Sequence, residues 1–242
     1  MSDHETHYRD LLAEHYSWMF GDYDAAVDRF RAMFADRGIV PKGSGRALDL
    51  GAGSGFQTIA LAQLGFTVTA IDRSEALLAE LGTHAAGMRI ETALDDLLNL
   101  QAHAPEPVEL IVCMGDVLTH LRSMHEVTDL VARAYDALEP EGRLVLGYRD
   151  LTTELKGTDR FLPIRADADR VFTCFLEYGP THVTVNDVVY SREGEGWRLQ
   201  KSSFPKLRVP PHEVAHTLRA HGFEIDEDTR EGIEVVQVGR RG

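Results

Sequence analysis

Cysteine and long apolar runs are both scarce in this chain of 242 residues. The two cysteines, Cys113 and Cys174, each lie in an apolar, strand-like segment, and their spacing supports neither a disulfide framework nor a thiolate metal site. The longest apolar runs, such as residues 108–115, are far too short to cross a bilayer. The first residues lack the basic and apolar regions of a signal peptide. We therefore expect a cytoplasmic protein with two buried, unpaired thiols.

Positive charge is also in short supply, because 25 Lys and Arg stand against 39 Asp and Glu and leave a net charge of −14. Such a field repels phosphate backbones and anionic lipid, so we expect neither nucleic acid nor a membrane as a partner. A small molecule fits this charge better. The hydrophobic fraction of 43% is sufficient for the core of one α/β domain with a modest insertion. The sequence leaves open whether the protein forms a homo-oligomer.

Apolar segments with strand character alternate with helical segments between residues 41 and 150. Near-continuous apolar strands separated by helices predict a parallel sheet that is covered on both faces. Val27, Phe30 and Phe34 recur at helical spacing and predict a helix ahead of the first strand, which Gly38 would end. The predicted strands are 46–52, 67–72, 89–94, 108–115 and 143–150, and the predicted helices are 56–64, one that Ser74 caps, and 123–138.

The pattern changes after Asp150, where segments rich in Val, Thr and aromatic residues are separated by turn signals at 178–180 and 193–196. They predict two or three antiparallel strands. A Pro-Pro pair at 210–211 opens a helix that Gly222 ends, and a hairpin (223–227 and 233–238) follows. We therefore predict a Rossmann-like α/β fold with a seven-stranded, mostly parallel sheet and a C-terminal antiparallel hairpin. Residues 1–40 would form a helical cap, 41–150 with 208–242 the cofactor-binding domain, and 151–207 a β insertion that covers the substrate.

The first predicted strand runs into a loop with three glycines at alternate positions, Gly51, Gly53 and Gly55. Glycines at a strand end let the backbone approach a ligand that a Cβ atom would block. Asp72 ends the second strand, where a carboxylate reaches the two hydroxyls of a ribose. Position 56 is Phe and not the glycine of a dinucleotide fingerprint. Asp49, just before the loop, would repel a pyrophosphate but attract the ammonium group of a methionine moiety, so the pattern indicates a nucleoside with a cationic tail.

This combination resembles the class I S-adenosylmethionine-dependent methyltransferases. LDLGAGSG is similar to their first motif, Asp72 to their second acidic position, Asp95-Asp96-Leu97 to a third cofactor position, and CMGDVLTHL to the fourth motif, where cofactor and acceptor meet. The resemblance implies that Asp95 or Asp96 faces the adenine amino group and that Leu97 offers a backbone amide, with a helix cap as the alternative for the two acids. It implies S-adenosyl-L-methionine as cofactor, with S-adenosyl-L-homocysteine as product, held by Tyr16, Asp49, Gly51, Ala52, Gly53, Gly55, Asp72, Arg73, Asp95, Asp96, Leu97, Met114, Gly115 and Asp116.

Within that superfamily the chain most resembles the glycine and sarcosine N-methyltransferases. The likeness rests on VCMGDVLTHL, on Tyr148-Arg149-Asp150 after the fifth strand, and on the β insertion before the last helix. It implies that Arg149 grips a carboxylate of the acceptor, a role that suits a fork of donors. Pairing of Arg149 with Asp150, Glu154 or Asp116 is the alternative. Tyr16 falls where that family places an aromatic residue against the cofactor.

Methyl transfer is an in-line displacement, so the protein mainly supplies alignment and exclusion of water. An ammonium or hydroxyl acceptor must also lose a proton. The candidate bases are His120 in the fourth-motif segment, Tyr148 and His182, and we prefer His120 because its motif lies beside the transferred methyl in the family. Asp116 could instead orient a cationic acceptor. The expected acceptor is a small molecule that carries an amine or a carboxylate.

Two other functions fit parts of the sequence. His212-Glu213-Val214-Ala215-His216 matches H-E-x-x-H, in which two histidines bind zinc and the glutamate is the base of a metallohydrolase. Only Glu234 is available as a third ligand, and Val214 and Leu218 belong to a buried stripe, so we expect no metal. A non-catalytic protein that binds S-adenosylmethionine or another nucleotide on the same fold is the second alternative.

Overall fold

The computed structural model describes residues 18–19 and 21–242, so Tyr16 lies outside the described residues. In the described part, strands and helices alternate up to residue 149, after which strands dominate. The helices are α1 (Tyr23–Asp36), α2 (Phe56–Gln63), α3 (Glu75–His84), α4 (Met124–Ala137) and α5 (Pro211–Ala220). The strands are β1 (Arg46–Leu50), β2 (Thr67–Asp72), β3 (Ile90–Leu94), β4 (Val108–Cys113), β5 (Leu138–Arg149), β6 (Phe161–Ala166), β7 (Arg170–Tyr178), β8 (His182–Glu193), β9 (Gly196–Leu207), β10 (Phe223–Glu231) and β11 (Glu234–Arg241).

Seven strands form the large sheet in the order β10-β11-β5-β4-β1-β2-β3. The strands β1 to β5 are parallel, and β11 and β10 continue the sheet antiparallel to them. This confirms the predicted mostly parallel sheet with its C-terminal hairpin. Because β2 lies on one side of β1 and β4 on the other, the loops that follow these strands diverge. Such a switch point opens a crevice at the carboxyl ends of the strands, where α/β proteins bind ligands.

The helices begin where side chains can satisfy free backbone N–H groups. Asp22 accepts a hydrogen bond from Ala25 N at the start of α1, and Ser74 accepts one from Leu77 N at the start of α3, which confirms the predicted cap. The two faces of the sheet are buried by different helices, because successive side chains of a strand point to opposite faces. Leu48 and Leu50 of β1 share a core cluster with residues of α4 and α5, whereas Ala47 joins residues of α1 and α2.

The insertion is a separate antiparallel sheet of four strands in the order β6-β7-β8-β9. Two or three strands were predicted, so the expected number was too low, and β6 is the strand that was missed. Pro163 interrupts its sequence pattern, because proline lacks the N–H that a strand donates. The strand forms because β6 lies at the edge of the sheet, where proline is tolerated. No helix among the described residues is long and apolar enough to span a membrane.

Candidate functional site

The glycine loop between β1 and α2 adopts a backbone that its sequence makes possible. Gly51 has φ +73°, and a Cβ atom there would collide with the side chain of Val117. Gly55, which precedes α2, has φ +95°, and a Cβ atom there would lie 2.5 Å from Leu81 Cγ. Residues with a side chain rarely adopt such φ values, so the loop requires glycine at both positions. The result is a closely packed stretch of backbone with small side chains at the end of β1.

Asp72 connects this loop to the end of the neighbouring strand β2. Its Oδ2 accepts a hydrogen bond of 2.8 Å from Gly53 N, and its Oδ1 accepts one of 2.8 Å from Ser74 N. Burial raises the pKa of Asp72, although the backbone N–H groups of Ser74 and Gly53 act in the opposite direction. Each carboxylate oxygen has a further lone pair, so both can still accept a hydrogen bond from a ligand hydroxyl.

Asp49 lies at the base of the loop and is only 1% exposed. Its Oδ2 accepts a hydrogen bond of 2.6 Å from the hydroxyl of Thr58 on α2. Burial raises the pKa of Asp49 to about 7, and the hydrogen bond from Thr58 offsets this only in part. A cation that binds near Asp49 would stabilise the carboxylate, so the residue fits the ammonium group that the sequence predicted for it.

Two residues that the sequence analysis did not single out shape the same loop. The hydroxyl of Tyr23 on α1 donates a hydrogen bond of 2.7 Å to the carbonyl of Ser54, and its ring stacks on His84 at a centroid distance of 3.7 Å. The hydroxyl of Ser54 is buried and has no hydrogen-bond partner within the described part of the chain. The helical spacing of the sequence predicts a helix at this place. It does not predict which aromatic side chain of α1 reaches the loop, because that depends on how α1 packs.

The two acids after β3 have different partners. Asp95 Oδ1 accepts a hydrogen bond of 2.8 Å from Asn99, and its Oδ2 lies 2.9 Å from His103 Nε2. These hydrogen bonds, from Asn99 first and then from His103, lower the pKa of Asp95 to about 2. Asp96 caps the following 3-10 helix, Leu97–His103, and its Oδ2 lies 3.7 Å from Arg73 Nη1. Asp96 is therefore a helix cap, the alternative role given above for the two acids, and its second oxygen faces Arg73.

The segment 114–121, which we call the acceptor loop, leaves β4 through two successive residues with positive φ. Gly115 has φ +68° and Asp116 has φ +71°, a conformation that residues with a side chain seldom adopt. The carboxylate of Asp116, which is 7% exposed, accepts a hydrogen bond of 2.8 Å from the backbone N–H of Arg149 and pairs with the guanidinium group of that residue. Arg149 is thus a partner of Asp116, the alternative that the sequence analysis left open.

Lys206 of β9 is the second cation on Asp116 and was not predicted. Its Nζ donates a hydrogen bond of 2.6 Å to Asp116 Oδ2, and the residue is only 5% exposed. Burial by itself would raise the pKa of Asp116, but attraction by Lys206 and Arg149 outweighs it and holds the pKa well below its usual range. Asp116 is therefore an ionised carboxylate that two cations already neutralise. The sequence signal that could have found Lys206 is its position two residues after Phe204, on the inward face of an alternating strand.

The three candidate bases occupy different environments. His120 lies in the acceptor loop, and its ring stacks on Phe204 of β9 at a centroid distance of 5.6 Å. Tyr148 is 1% exposed, points to the sheet face opposite Arg149, and donates a hydrogen bond of 2.9 Å to Gln237. Burial also raises its pKa above the ordinary value. Tyr148 therefore packs in the core with its hydroxyl bound to Gln237, and its role as a base stays a prediction. His182 pairs with the neighbouring Thr181.

The H-E-x-x-H segment lies on α5, where His212, Glu213 and His216 are exposed and Val214 is buried. Within the described ranges, no group of three or more His, Cys, Asp or Glu side chains could hold a metal ion. A catalytic zinc site needs three protein ligands and an open fourth position. The geometry therefore gives no support to a zinc hydrolase.

Comparison with known proteins agrees with this arrangement. Residues 47–142 match the family model described as a methyltransferase domain. The chain is 30% identical over 110 residues to the glycine/sarcosine N-methyltransferase of Aphanothece halophytica, a match that covers 45% of this chain and 42% of that protein. It is 34% identical over 107 residues to the ubiquinone biosynthesis O-methyltransferase of Xylella fastidiosa, covering 43% and 42% of the two chains. The matched part thus spans about two fifths of these relatives.

The fold is also found in solved structures, among them a methyltransferase. Streptomyces venezuelae DesVI aligns with a TM-score of 0.75 at 16% identity, covering 95% of this chain and 96% of that one. The CcbJ methyltransferase of Streptomyces caelestis aligns with a TM-score of 0.73 at 22% identity, covering 89% and 90%. At such identities the likeness concerns the fold alone. The family match and the shared fold together mean that residues 47–142 are similar to a methyltransferase domain and that the chain folds like such enzymes.

Proposed function

We propose that this chain transfers a methyl group from S-adenosyl-L-methionine to a nitrogen or oxygen atom of a small molecule. The observation that carries the proposal is the glycine loop, whose Gly53 N–H donates a hydrogen bond to the Asp72 carboxylate at the end of the neighbouring strand. No other part of the described chain combines a crevice at a switch point with a carboxylate placed for ribose hydroxyls.

The residues at this edge of the sheet fit the cofactor. A Cβ atom at Gly51 would collide with Val117 of the acceptor loop, so the glycine lets the two loops pack together, and the buried hydroxyl of Ser54 has no hydrogen-bond partner in the described residues. Asp72 would accept hydrogen bonds from the ribose hydroxyls, and Asp49 would stabilise the ammonium group of the methionine moiety. Asp96 is the better of the two acids for the adenine end, because Asp95 Oδ1 already accepts two hydrogen bonds and its Oδ2 lies 2.9 Å from His103, whereas Asp96 Oδ2 lies 3.7 Å from Arg73, beyond hydrogen-bond distance.

When bound, the cofactor supplies a methyl group on a positively charged sulfur, which is already activated for transfer. The protein must therefore align the acceptor and keep water away. His120 is our candidate to accept a proton from an amine or hydroxyl acceptor, because it lies in the loop that follows β4. Arg149 stays our candidate for contact with an acceptor carboxylate, because its side chain is 35% exposed while it pairs with Asp116. The cluster of Arg149, Lys206 and Asp116 would then border the acceptor.

The relatives suggest which acceptors to try first. Their names include glycine/sarcosine N-methyltransferase and ubiquinone biosynthesis O-methyltransferase, and one structural neighbour is described as an amino pentose methyltransferase. We therefore propose an acceptor with an amine, a carboxylate or a phenolic hydroxyl, and methylation at N or O.

Calorimetric titration with S-adenosylhomocysteine tests the cofactor site. We expect micromolar binding by the wild-type chain and a roughly 100-fold weaker affinity for Asp72→Ala, because two hydrogen bonds to a charged acceptor contribute about 1.5 kcal/mol each. Asp136→Ala is the matched control, since Asp136 is exposed on α4. Unchanged affinity in a folded Asp72→Ala protein, or no binding to wild type at millimolar ligand, would overturn the assignment.

Methyl transfer from labelled cofactor separates an enzyme from a non-catalytic binding protein. The acceptors to be supplied are glycine, sarcosine, amino sugars and catechols. Turnover of any of them supports catalysis. Tight binding of S-adenosylhomocysteine without turnover of the whole panel would favour the binding protein.

A further inference from the structure

Strand β9 of the insertion contacts the acceptor loop at two points. Phe204 stacks on His120, and Lys206 donates a hydrogen bond of 2.6 Å to Asp116. Residues 204 and 206 are two apart on one strand, so their side chains lie on the same face. Asp116 and His120 delimit the short helical turn of the loop. The two contacts therefore fix both ends of the segment that follows Gly115.

The acceptor loop needs such support because its backbone is strained. A residue with a side chain in the left-handed region costs about 1–2 kcal/mol relative to the usual conformations, and it persists only where its surroundings hold it. Asp116, with φ +71°, is held by Arg149 from the large sheet and by Lys206 from the insertion. Without one of these two cations the carboxylate is still paired with the other, so the protein would stay folded. The loop would loosen because it has lost one of its two anchors.

We propose that Lys206 and Phe204 are positioning residues for the acceptor step, and that through them the insertion sets the geometry of the acceptor loop. Lys206 acts through Asp116, and Phe204 acts through His120. The proposal rests on the proposed function for the meaning of that geometry. The contacts themselves make a separate prediction, because the loop must be held by β9 whether or not a methyl group is transferred.

Hydrogen exchange, followed by mass spectrometry on the full-length chain, tests the contacts without any ligand. Lys206→Met keeps the length of the side chain and removes its charge. We expect the amides of residues 115–121 to exchange at least fivefold faster in this variant, with β8 and α1 unchanged. Lys206→Arg, which keeps the charge, is expected to restore exchange to within twofold. Lys201→Met, an exposed position on the same strand, is the control and is expected to behave as wild type.

Kinetics test the consequence for the reaction. With whichever acceptor of the panel is turned over, we expect Lys206→Met to lower kcat about tenfold or more, with the affinity for S-adenosylhomocysteine within threefold of wild type. A purely structural role would change both together. Phe204→Leu provides a second test should Lys206→Met fail to fold, and we expect it to accelerate exchange near His120.

The outcomes are distinguishable. Unchanged exchange of residues 115–121 in folded Lys206→Met and Phe204→Leu, or equally faster exchange throughout both sheets, would overturn the positioning role. Faster local exchange with unchanged kcat would overturn its catalytic consequence. Failure of wild type to bind S-adenosylhomocysteine would instead refute the proposed function, and the exchange result would still decide whether β9 holds the loop.

Discussion

Asp49 offers the sharpest test of how the site is built, because a buried carboxyl group with a pKa near 7 makes stability depend on pH. Its ordinary pKa of 3.8 is the value expected in the unfolded chain, and burial raises the folded value to about 7. Below pH 4 the group is protonated in both states and costs nothing. Between pH 4 and pH 7 the unfolded chain gains stability by ionising while the folded protein does not, so stability is lost as the pH rises.

The size of this loss follows from the pKa difference. One pKa unit corresponds to about 1.4 kcal/mol, so the unfavourable contribution is about 2 kcal/mol at pH 5 and about 4 kcal/mol at pH 8. Asp49→Asn removes the titration and keeps an oxygen that can accept the hydrogen bond from Thr58. Relative to wild type, we expect the variant to gain about 2–3 kcal/mol between pH 5 and pH 8. For a chain of this length that difference corresponds to about 5–10 °C in Tm.

Thermal unfolding of the ligand-free protein, followed by circular dichroism at pH 5 and pH 8, measures this gain. The comparison between two pH values cancels any constant cost of burying the amide. Asp136→Asn, on the exposed side of α4, is the matched control and is expected to show no pH-dependent gap. A gap between Asp49→Asn and wild type that stays constant with pH would show that Asp49 is not the buried, proton-binding group described above.

Three further substitutions test individual contacts. Tyr23→Phe removes the hydrogen bond to the carbonyl of Ser54 and is expected to weaken binding of S-adenosylhomocysteine about threefold to tenfold in calorimetry; unchanged affinity would mean that the loop does not need this contact. Tyr148→Phe leaves buried Gln237 without its donor and should cost about 1–3 kcal/mol in denaturant unfolding, with the pH profile of methyl transfer unchanged; a shifted profile would return Tyr148 to the role of base. Arg149→Ala should raise KM selectively for carboxylate-bearing acceptors, and an equal loss across neutral acceptors would contradict that contact.

The parts of the site that the sequence predicted correctly come from local signals. The bounds of β2 and the cap at Ser74 follow from hydrophobic pattern and turn chemistry over a few residues. The meeting of the glycine loop with Asp72 also follows from sequence, because the carboxyl ends of parallel neighbours lie at one edge of a sheet. Residues close together in the chain, or at the ends of neighbouring strands, therefore suffice to predict this contact.

The acceptor side depended on contacts between distant segments. Lys206 reaches Asp116 across 90 residues, and no spacing rule connects an insertion strand to the loop after β4. Tyr148 lies next to Arg149 in the chain, yet the pleat of β5 directs the two side chains to opposite faces of the sheet. Packing of α5 and β11 then buries the side chain of Tyr148. Local patterns thus determined the large sheet and the meeting of the glycine loop with Asp72. Tertiary packing alone decided which charges meet beside the acceptor, because the free energy of those contacts comes from groups that the sequence keeps far apart.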